Sequence, residues 1–345
     1  MTPRELEALP CAGGEKKFRA AQIFSWIARG AVSFDEMDNL PLSLRKKLES
    51  AYRLRSVSVS ETLRGADGTV KLRLGLDDGA AIEAVLLKAR ETGARGDEDG
   101  GRFTACLSTQ AGCPAGCVFC KTGSLGFLRN LSAAEIVEQF LVLNSVSKSG
   151  VSHVVVMGMG EPLLNLEALG KALGIIIHPE GIGLSKRRIT VSTSGIESGI
   201  YALAEKGPLT ELAVSLTTAR EDLRRRLMPF AGLAGLEGLK KALKAWQQNR
   251  GRRVTLETVL LGGINTTADD AEALVRFTRG LKTAINVIPW NPVEGLLFEG
   301  KALRAPERAE IDGFRARLEA AGLTVTRRYR RGQGVAGACG QLGVT

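Results

Sequence analysis

The chain has 345 residues, 44% of them apolar, with 47 Lys and Arg against 37 Asp and Glu, giving a formal charge of +10 and a pI near 9.5. That length fits one barrel-sized domain with a small companion, and the apolar content excludes wholesale disorder. No apolar run reaches the ~18 residues of a membrane span, and Met1-Thr-Pro-Arg-Glu-Leu6 is not expected to serve as a secretory leader. The expected compartment is therefore the cytoplasm, and so basic a chain favours a polyanionic partner, nucleic acid first, over a basic enzyme without one.

Residues 1–54 are expected to form a small helical accessory domain. Lys16-Lys17-Phe18-Arg19-Ala-Ala-Gln-Ile23-Phe24-Ser-Trp26-Ile27 spaces its apolar residues as a helix does, and Pro41 opens a further helix over Leu42–Leu48. Lys16, Lys17, Arg19, Arg45, Lys46 and Lys47 either contact phosphates or solvate helix faces, and the pattern does not choose between them. Cys11 is expected to be an ordinary thiol.

Residues 55–102 change period to two. Ser56–Val59, Val70–Leu74 and Ala81–Leu87 are separated by Asp67-Gly68 and Asp78-Gly79, which predicts an antiparallel β extension. The Gly-rich charged stretch 90–102 is expected to be a flexible loop. From Phe103 strands and helices alternate. Strands are expected at Thr104–Ser108, His153–Met157, Arg188–Thr193, Glu211–Leu216, Thr255–Leu260 and Ala284–Pro289. Helices are expected at Ala133–Val146, Leu166–Ile176, Ile196–Ala204, Leu236–Gln248, Thr267–Gly280 and Pro306–Ala321. The fold class is α/β, a partial (βα)6 TIM-like barrel over residues 103–332, followed by a Gly-rich tail, 333–345, that carries Cys339. Ligands of such barrels gather at the C-terminal ends of the strands, and the chemically unusual residues fall just after them here.

The strongest of these is Cys113-Pro-Ala-Gly-Cys117-Val-Phe-Cys120, three cysteines at i, i+4 and i+7 after the first strand. Small residues between them let a loop wrap an iron–sulfur cubane, and three protein thiolates leave one iron of a [4Fe–4S] cluster open. The competing readings are a zinc site, which wants four ligands and usually paired C-x-x-C knuckles, and plain buried thiols.

The C-x3-C-x2-C spacing resembles that of the radical S-adenosylmethionine (SAM) enzymes. Cys106-Leu-Ser-Thr-Gln-Ala-Gly-Cys113, Gly126–Leu131, Met157-Gly-Met-Gly-Glu-Pro-Leu-Leu-Asn165, Gly183–Thr190, Asn286–Pro292 and Ala338-Cys339-Gly-Gln-Leu342 together are similar to the motifs of the RlmN/Cfr family of RNA methyltransferases, in order from the N-terminal helices to Leu342. The resemblance implies a radical SAM barrel with one [4Fe–4S] cluster on Cys113, Cys117 and Cys120. It implies methylation of C2 of an adenine in 23S rRNA and in tRNA, or, for a Cfr-type member, of C8 of the same rRNA adenine. Adenine C2 carries no nucleophilic electron pair, so direct transfer from SAM is closed to it. The implied route loads a methyl group from one SAM onto Cys339, removes a hydrogen from it with a radical made from a second SAM, and adds the carbon to the base. Cys106 then resolves the adduct through a transient Cys106–Cys339 disulfide, of a kind the cytosol allows. Six cysteines divide accordingly into three for the cluster, two for methyl transfer and Cys11.

By the same resemblance Gly160 and Glu161 take the SAM ammonium, and Ser192, Ser215, Leu216, Thr217 and Asn291 contact the rest of SAM. Alone, such Ser and Asn residues more often cap turns. Glu83 matches the acidic residue assigned as general base, against the alternative of a solvent-facing strand residue. Thr217 stands where the family pattern has His, and the 90–102 stretch is longer than the family's link. The implied partners are RNA and an electron donor such as flavodoxin, with a monomeric chain and no membrane. Ser185-Lys-Arg-Arg188, Arg224-Arg-Arg226 and Arg327-Arg-Tyr-Arg-Arg331 are the basic runs expected to meet phosphates, the last being favoured because it borders Cys339. The glycines around Cys339 suggest a tail that moves. From another class altogether stands a non-catalytic RNA- or zinc-binding protein on the same scaffold.

Overall fold

The computed structural model describes residues 1–9, 16–89, 102–327 and 331–343. Cys11, nearly all of the Gly-rich linker and Arg328–Arg330 lie outside the described residues.

The N-terminal module contains α1 (Pro3–Glu7), α2 (Phe18–Arg29) and α3 (Leu42–Ala51). Ala20, Ile23, Phe24, Leu44 and Leu48 are buried, so the helical spacing read in the sequence is the face that packs inward. Gly30, left-handed at φ 99°, ends α2. The Phe24 ring meets His178 edge-on, at 4.9 Å between centroids, and this contact seats the module on the main domain.

Strands β1 (Val57–Arg64), β2 (Val70–Leu76) and β3 (Ala81–Lys88) form the antiparallel extension, which runs into the main sheet through β4 (Phe103–Cys106). A small hairpin of β5 (Gln110–Gly112) and β6 (Phe127–Asn130) brackets the cysteine loop and α4 (Lys121–Ser124). The alternating part continues with α5 (Ala133–Ser145), β7 (Val151–Val156), α6 (Leu166–Ile176), β8 (Ile189–Thr193), α7 (Glu197–Lys206), β9 (Glu211–Ser215), α8 (Glu221–Leu227), α9 (Leu236–Arg250), β10 (Val254–Leu260), α10 (Ala268–Thr278) and β11 (Thr283–Pro289). A two-residue hairpin, β12 (Leu297–Phe298) with β13 (Lys301–Ala302), precedes α11 (Arg308–Ala320) and β14 (Val325–Arg327).

Apart from the two small hairpins, these strands form one ten-stranded sheet in the order β1-β2-β3-β4-β7-β8-β9-β10-β11-β14. The strands from β4 onward are parallel, and β1 and β14 are its two edges, so the partial barrel is open. The six expected βα units are present, and β14 adds a further parallel strand. Helix ends follow local chemistry: Ser132 with Glu135 and Thr267 with Asp270 make reciprocal capping boxes at α5 and α10. The parallel strands are apolar on both faces because helices cover one face and the barrel interior the other. Val154, Val191, Leu212, Ala213, Leu256 and Val287 are correspondingly sealed from solvent. No helix among the described residues is long and apolar enough to cross a membrane.

Candidate active site at the strand ends

Cys113, Cys117 and Cys120 rim one cavity above the C-terminal ends of the parallel strands. The loop between β5 and α4 is shaped by Gly112, at φ 75°, where a Cβ would lie 2.1 Å from the Gly126 carbonyl oxygen. Only glycine fits, and Cys113 N donates to that same oxygen at 2.7 Å. Burial pushes the Cys113 thiol up to about 12, and it raises Cys117 and Cys120 as well, with the neighbouring thiols adding to the effect at Cys117. Three thiolates in so dry a place need a cationic centre to be stable, as an iron–sulfur cluster provides. Among the described residues no three His, Cys, Asp or Glu side chains converge as a single ion requires. A cubane puts each thiolate on a different iron, so three thiols spread round a shared cavity fit the cluster.

Glu161 lies in the wall beside this loop. Its Oε1 accepts from Thr193 Oγ1 at 2.7 Å and Leu163 N at 3.0 Å, and its Oε2 accepts from Ser194 N and Oγ, both at 2.7 Å. Burial raises its pKa against these bonds, and no cation pairs with it among the described residues. A cation brought into the cavity beside it would offset the cost of burying its charge. Gly160, at φ 102°, turns the chain there, and a Cβ would come within 2.6 Å of Gln110 Cβ.

Ser192, Ser215 and Asn291 line the same cavity, with Ser192 and Ser215 hydroxyls 3.5 Å apart. Leu216 and Thr217 are not on its wall. Leu216 is wholly buried, and Thr217 is buried at φ 62°, a strained conformation for a β-branched residue, with its Oγ1 unbonded.

Cys106, at the end of β4, and Cys339 line a second, adjoining cavity with Leu87, Val155 and Pro289. Cys339 and Asn291 belong to the walls of both. Asn291 Nδ2 donates to the Cys339 carbonyl at 3.0 Å and its Oδ1 accepts from Gln333 Nε2 at 3.2 Å. Lys121 N donates to Gly340 O at 2.8 Å, Thr122 Oγ1 bonds Leu342 O, and the Leu342 side chain is buried. The tail expected to be mobile is thus docked.

Glu83 is buried but lines neither cavity. Lys71 Nζ lies 2.9 Å from its Oε1, and its Oε2 accepts from Gly343 N at 2.8 Å.

Two contributors were not foreseen. Glu257, bonded by Asn286 Nδ2 at 2.7 Å, lines the first cavity; its signal was a lone carboxylate in the apolar strand Val254–Leu260. Arg224, expected to face phosphates, is instead 1% exposed and donates to Ser194 O at 2.7 Å and Ala234 O at 2.9 Å, behind Glu161. Burial lowers its pKa to about 10. Arg225 pairs with Glu221, and Arg226 with Asp222 and Glu299, on the surface, so only Arg224 of this basic run turns inward. Lys186, Arg187 and Arg188 are exposed.

Residues 107–278 match the Radical SAM superfamily model, and residues 1–54 match the Ribosomal RNA large subunit methyltransferase N-terminal domain. A probable dual-specificity RNA methyltransferase RlmN from Treponema denticola is 50% identical, covering all of this chain and 94% of its own. The chain belongs to the RlmN family of radical SAM RNA methyltransferases. The family member from Moorella thermoacetica is 44% identical over 99% of this chain and 95% of its own. The crystal structure of a radical SAM methyltransferase from Sphaerobacter thermophilus shares 37% identity and a TM-score of 0.91, covering 99% of this chain and 97% of that one. Membership brings with it a [4Fe–4S] cluster and SAM as cofactors, and three half-buried cysteines and Glu161 line one cavity whose chemistry suits them.

Proposed function

We propose that this RlmN-family enzyme methylates C2 of an adenine in 23S rRNA and of an adenine in tRNA, using a methyl group carried on Cys339. The observation that carries this reading is the position of Cys339 on the shared wall of two cavities, one rimmed by Cys113, Cys117 and Cys120 and the other by Cys106. A sulfur so placed can take a methyl group on one side and present it to a base on the other.

Cys113, Cys117 and Cys120 hold the cluster, and Glu161 with Gly160 receives the SAM ammonium while Ser192, Ser215 and Asn291 line its remaining path. When bound, the cluster supplies the electron, originating from a donor such as a flavodoxin, that makes SAM a hydrogen-abstracting reagent, and SAM is also the source of the methyl group. Phe119, Met228 and Trp290 wall the cavity, and Trp290 Nε1 fixes the cysteine loop by donating to Phe119 O at 2.8 Å. That apolar lining keeps water from a reactive carbon centre. Cys339 holds the methyl carbon as it bonds to the base, and Cys106, across the second cavity, frees the product by forming a transient disulfide with Cys339 that cellular thiols reduce. Glu83 accepts the proton lost from the base only once Gly343 has left its Oε2. The target adenine must leave its stack to reach this depth, and Lys186, Arg187 and Arg188 hold the RNA by its phosphates. The enzyme acts as a monomer in the cytoplasm.

Nucleoside mass spectrometry of rRNA and tRNA from anaerobic reactions with reductant and SAM tests the assignment. 2-Methyladenosine in both is expected. 8-Methyladenosine without the 2-isomer would make this a Cfr-type enzyme, and unmodified RNA beside an intact cluster would leave only a binding protein.

A further inference from the structure

The stretch from Gly332 to Gly343, which carries Cys339, is gripped at both ends by carboxylates of the antiparallel extension. Gly332 N donates to Asp67 Oδ2 at 2.8 Å, from the turn between β1 and β2. Gly343 N donates to Glu83 Oε2 at 2.8 Å, on β3. Between these points the segment lies against the extension: a Cβ on Gly332 would be 3.1 Å from Thr69 Cγ2, and one on Gly337 would be 3.5 Å from Val85 Cγ1. The barrel takes hold differently, through the carbonyls of Cys339, Gly340 and Leu342.

The Lys71–Glu83 pair is the unusual part. Lys71 faces Val85 across β2 and β3, which makes Glu83 its diagonal neighbour on the same face. Both side chains are nearly sealed from water, at 8% and 6% exposure. Burying an ion pair costs desolvation that the mutual attraction only roughly offsets, so such a pair is a weak source of stability. Its worth lies in fixing geometry, and what Glu83 fixes is the backbone of Gly343. A charge-assisted bond to an N–H is about twice as strong as a neutral one, so two of them define the ends of the segment.

We propose that the antiparallel extension is a clamp for the C-terminal segment, with Asp67 and the Lys71–Glu83 pair as positioning residues that set where Cys339 stands between the two cavities. The proposal rests on the reading of Cys339 as the methyl carrier. It gives the extension a purpose of its own. It also couples two events, because release of Gly343 moves Cys339 and uncovers the Glu83 carboxylate together.

Hydrogen–deuterium exchange of the full-length, cluster-reconstituted enzyme tests this. In Asp67→Ala the exchange of peptides spanning 332–343 is expected to rise about tenfold or more, the worth of one hydrogen bond to a charged group. The yield of S-methylated Cys339 is expected to fall with it while iron content stays native. Glu83→Gln keeps an oxygen for Gly343 N–H but loses the ion pair, so a smaller rise is expected, and Glu83→Ala should match or exceed Asp67→Ala. Asp67 is exposed on its turn, so Asp67→Ala decides the matter if the buried substitutions do not fold. Native exchange in Asp67→Ala overturns the clamp, as does loss of RNA product in Glu83→Ala with the tail's exchange unmoved, the mark of a residue that only transfers a proton. Raised exchange with a different methylated nucleoside supports the clamp and refutes only the C2 assignment; native exchange with 2-methyladenosine refutes the clamp alone.

Discussion

The cysteine loop and the C-terminal segment meet at one cavity, but opposite kinds of bond bring them there. Cys113 and Cys120 take their own backbone bonds from close in sequence, Cys113 N to Gly126 O at 2.7 Å and Cys120 N to Cys117 O at 3.1 Å, while Val118 N to Leu227 O and Trp290 Nε1 to Phe119 O brace the residues between. Cys339 is set by residues far from it, namely Asn291, Lys121, Asp67 and Glu83. The first arrangement draws on local turns as well as on braces from the barrel, so no single bond carries it. The second depends on a few long-range bonds, any of which can be removed singly. Cluster assembly and placement of the methyl carrier should therefore separate under mutation.

The sharpest separation is between Cys117→Ala and Cys339→Ala. Both should lower RNA methylation by more than about 1,000-fold, since groups that act as a unit fail together. Iron analysis should show the cluster lost in the first and retained in the second. Loss of iron in Cys339→Ala would mean that the tail helps to build the cluster, and the contrast would collapse.

A smaller effect is expected at the SAM end of the cavity. Glu161→Gln keeps the shape but leaves no charge for an ammonium, so the affinity for SAM measured by calorimetry should fall about tenfold or more. Arg224→Met strips the Ser194 and Ala234 carbonyls of their donor. Unfolding in urea should show a loss of about 2 kcal/mol, with SAM affinity reduced only a few-fold because Arg224 reaches Glu161 through Ser194.

The same contrast governs what could be read from the sequence. The cysteine loop, the strand ends at Gly160-Glu161, Ser192 and Ser215, and helix α6 from Leu166 to Ile176 were all legible, because period, capping and spacing are local signals. β14 was missed: three residues between a helix and a basic run carry no period of their own, and its pairing with β11 makes it a strand. α8 was missed for a related reason. Its three consecutive arginines look like a solvated patch, and only the packing of Leu223 and Leu227 beneath the cysteine loop shows that Arg224 turns inward. The tail's glycines suggested motion because composition reports backbone freedom, not the distant carboxylates that restrain it. Glu83 fell between these cases: the pattern of β3 left it either buried or solvent-facing, and the fold both buries it and supplies its partners Lys71 and Gly343.

The smallest effect lies away from both regions. Arg304, together with Gly263 N and Thr266, holds the Glu310 carboxyl down at about 2. A depressed carboxylate contributes stability above its unfolded value of ~4.3 and loses it as pH falls through the folded value. The urea midpoint should thus decline between about pH 4.3 and 2 more steeply in the native chain than in Glu310→Gln. The difference should stay below about 1 kcal/mol, since the pair is partly exposed and screened. Equal slopes would show that Glu310 holds nothing together.

If Cys339 carries the carbon and Cys106 releases it, the two roles separate in an anaerobic reaction of Cys106→Ala with SAM, reductant and RNA, resolved on a denaturing gel and by peptide mass spectrometry. RNA covalently attached through the peptide that contains Cys339 is the expected result. Release of methylated RNA by Cys106→Ala at the native rate, with no attached species, would contradict the account.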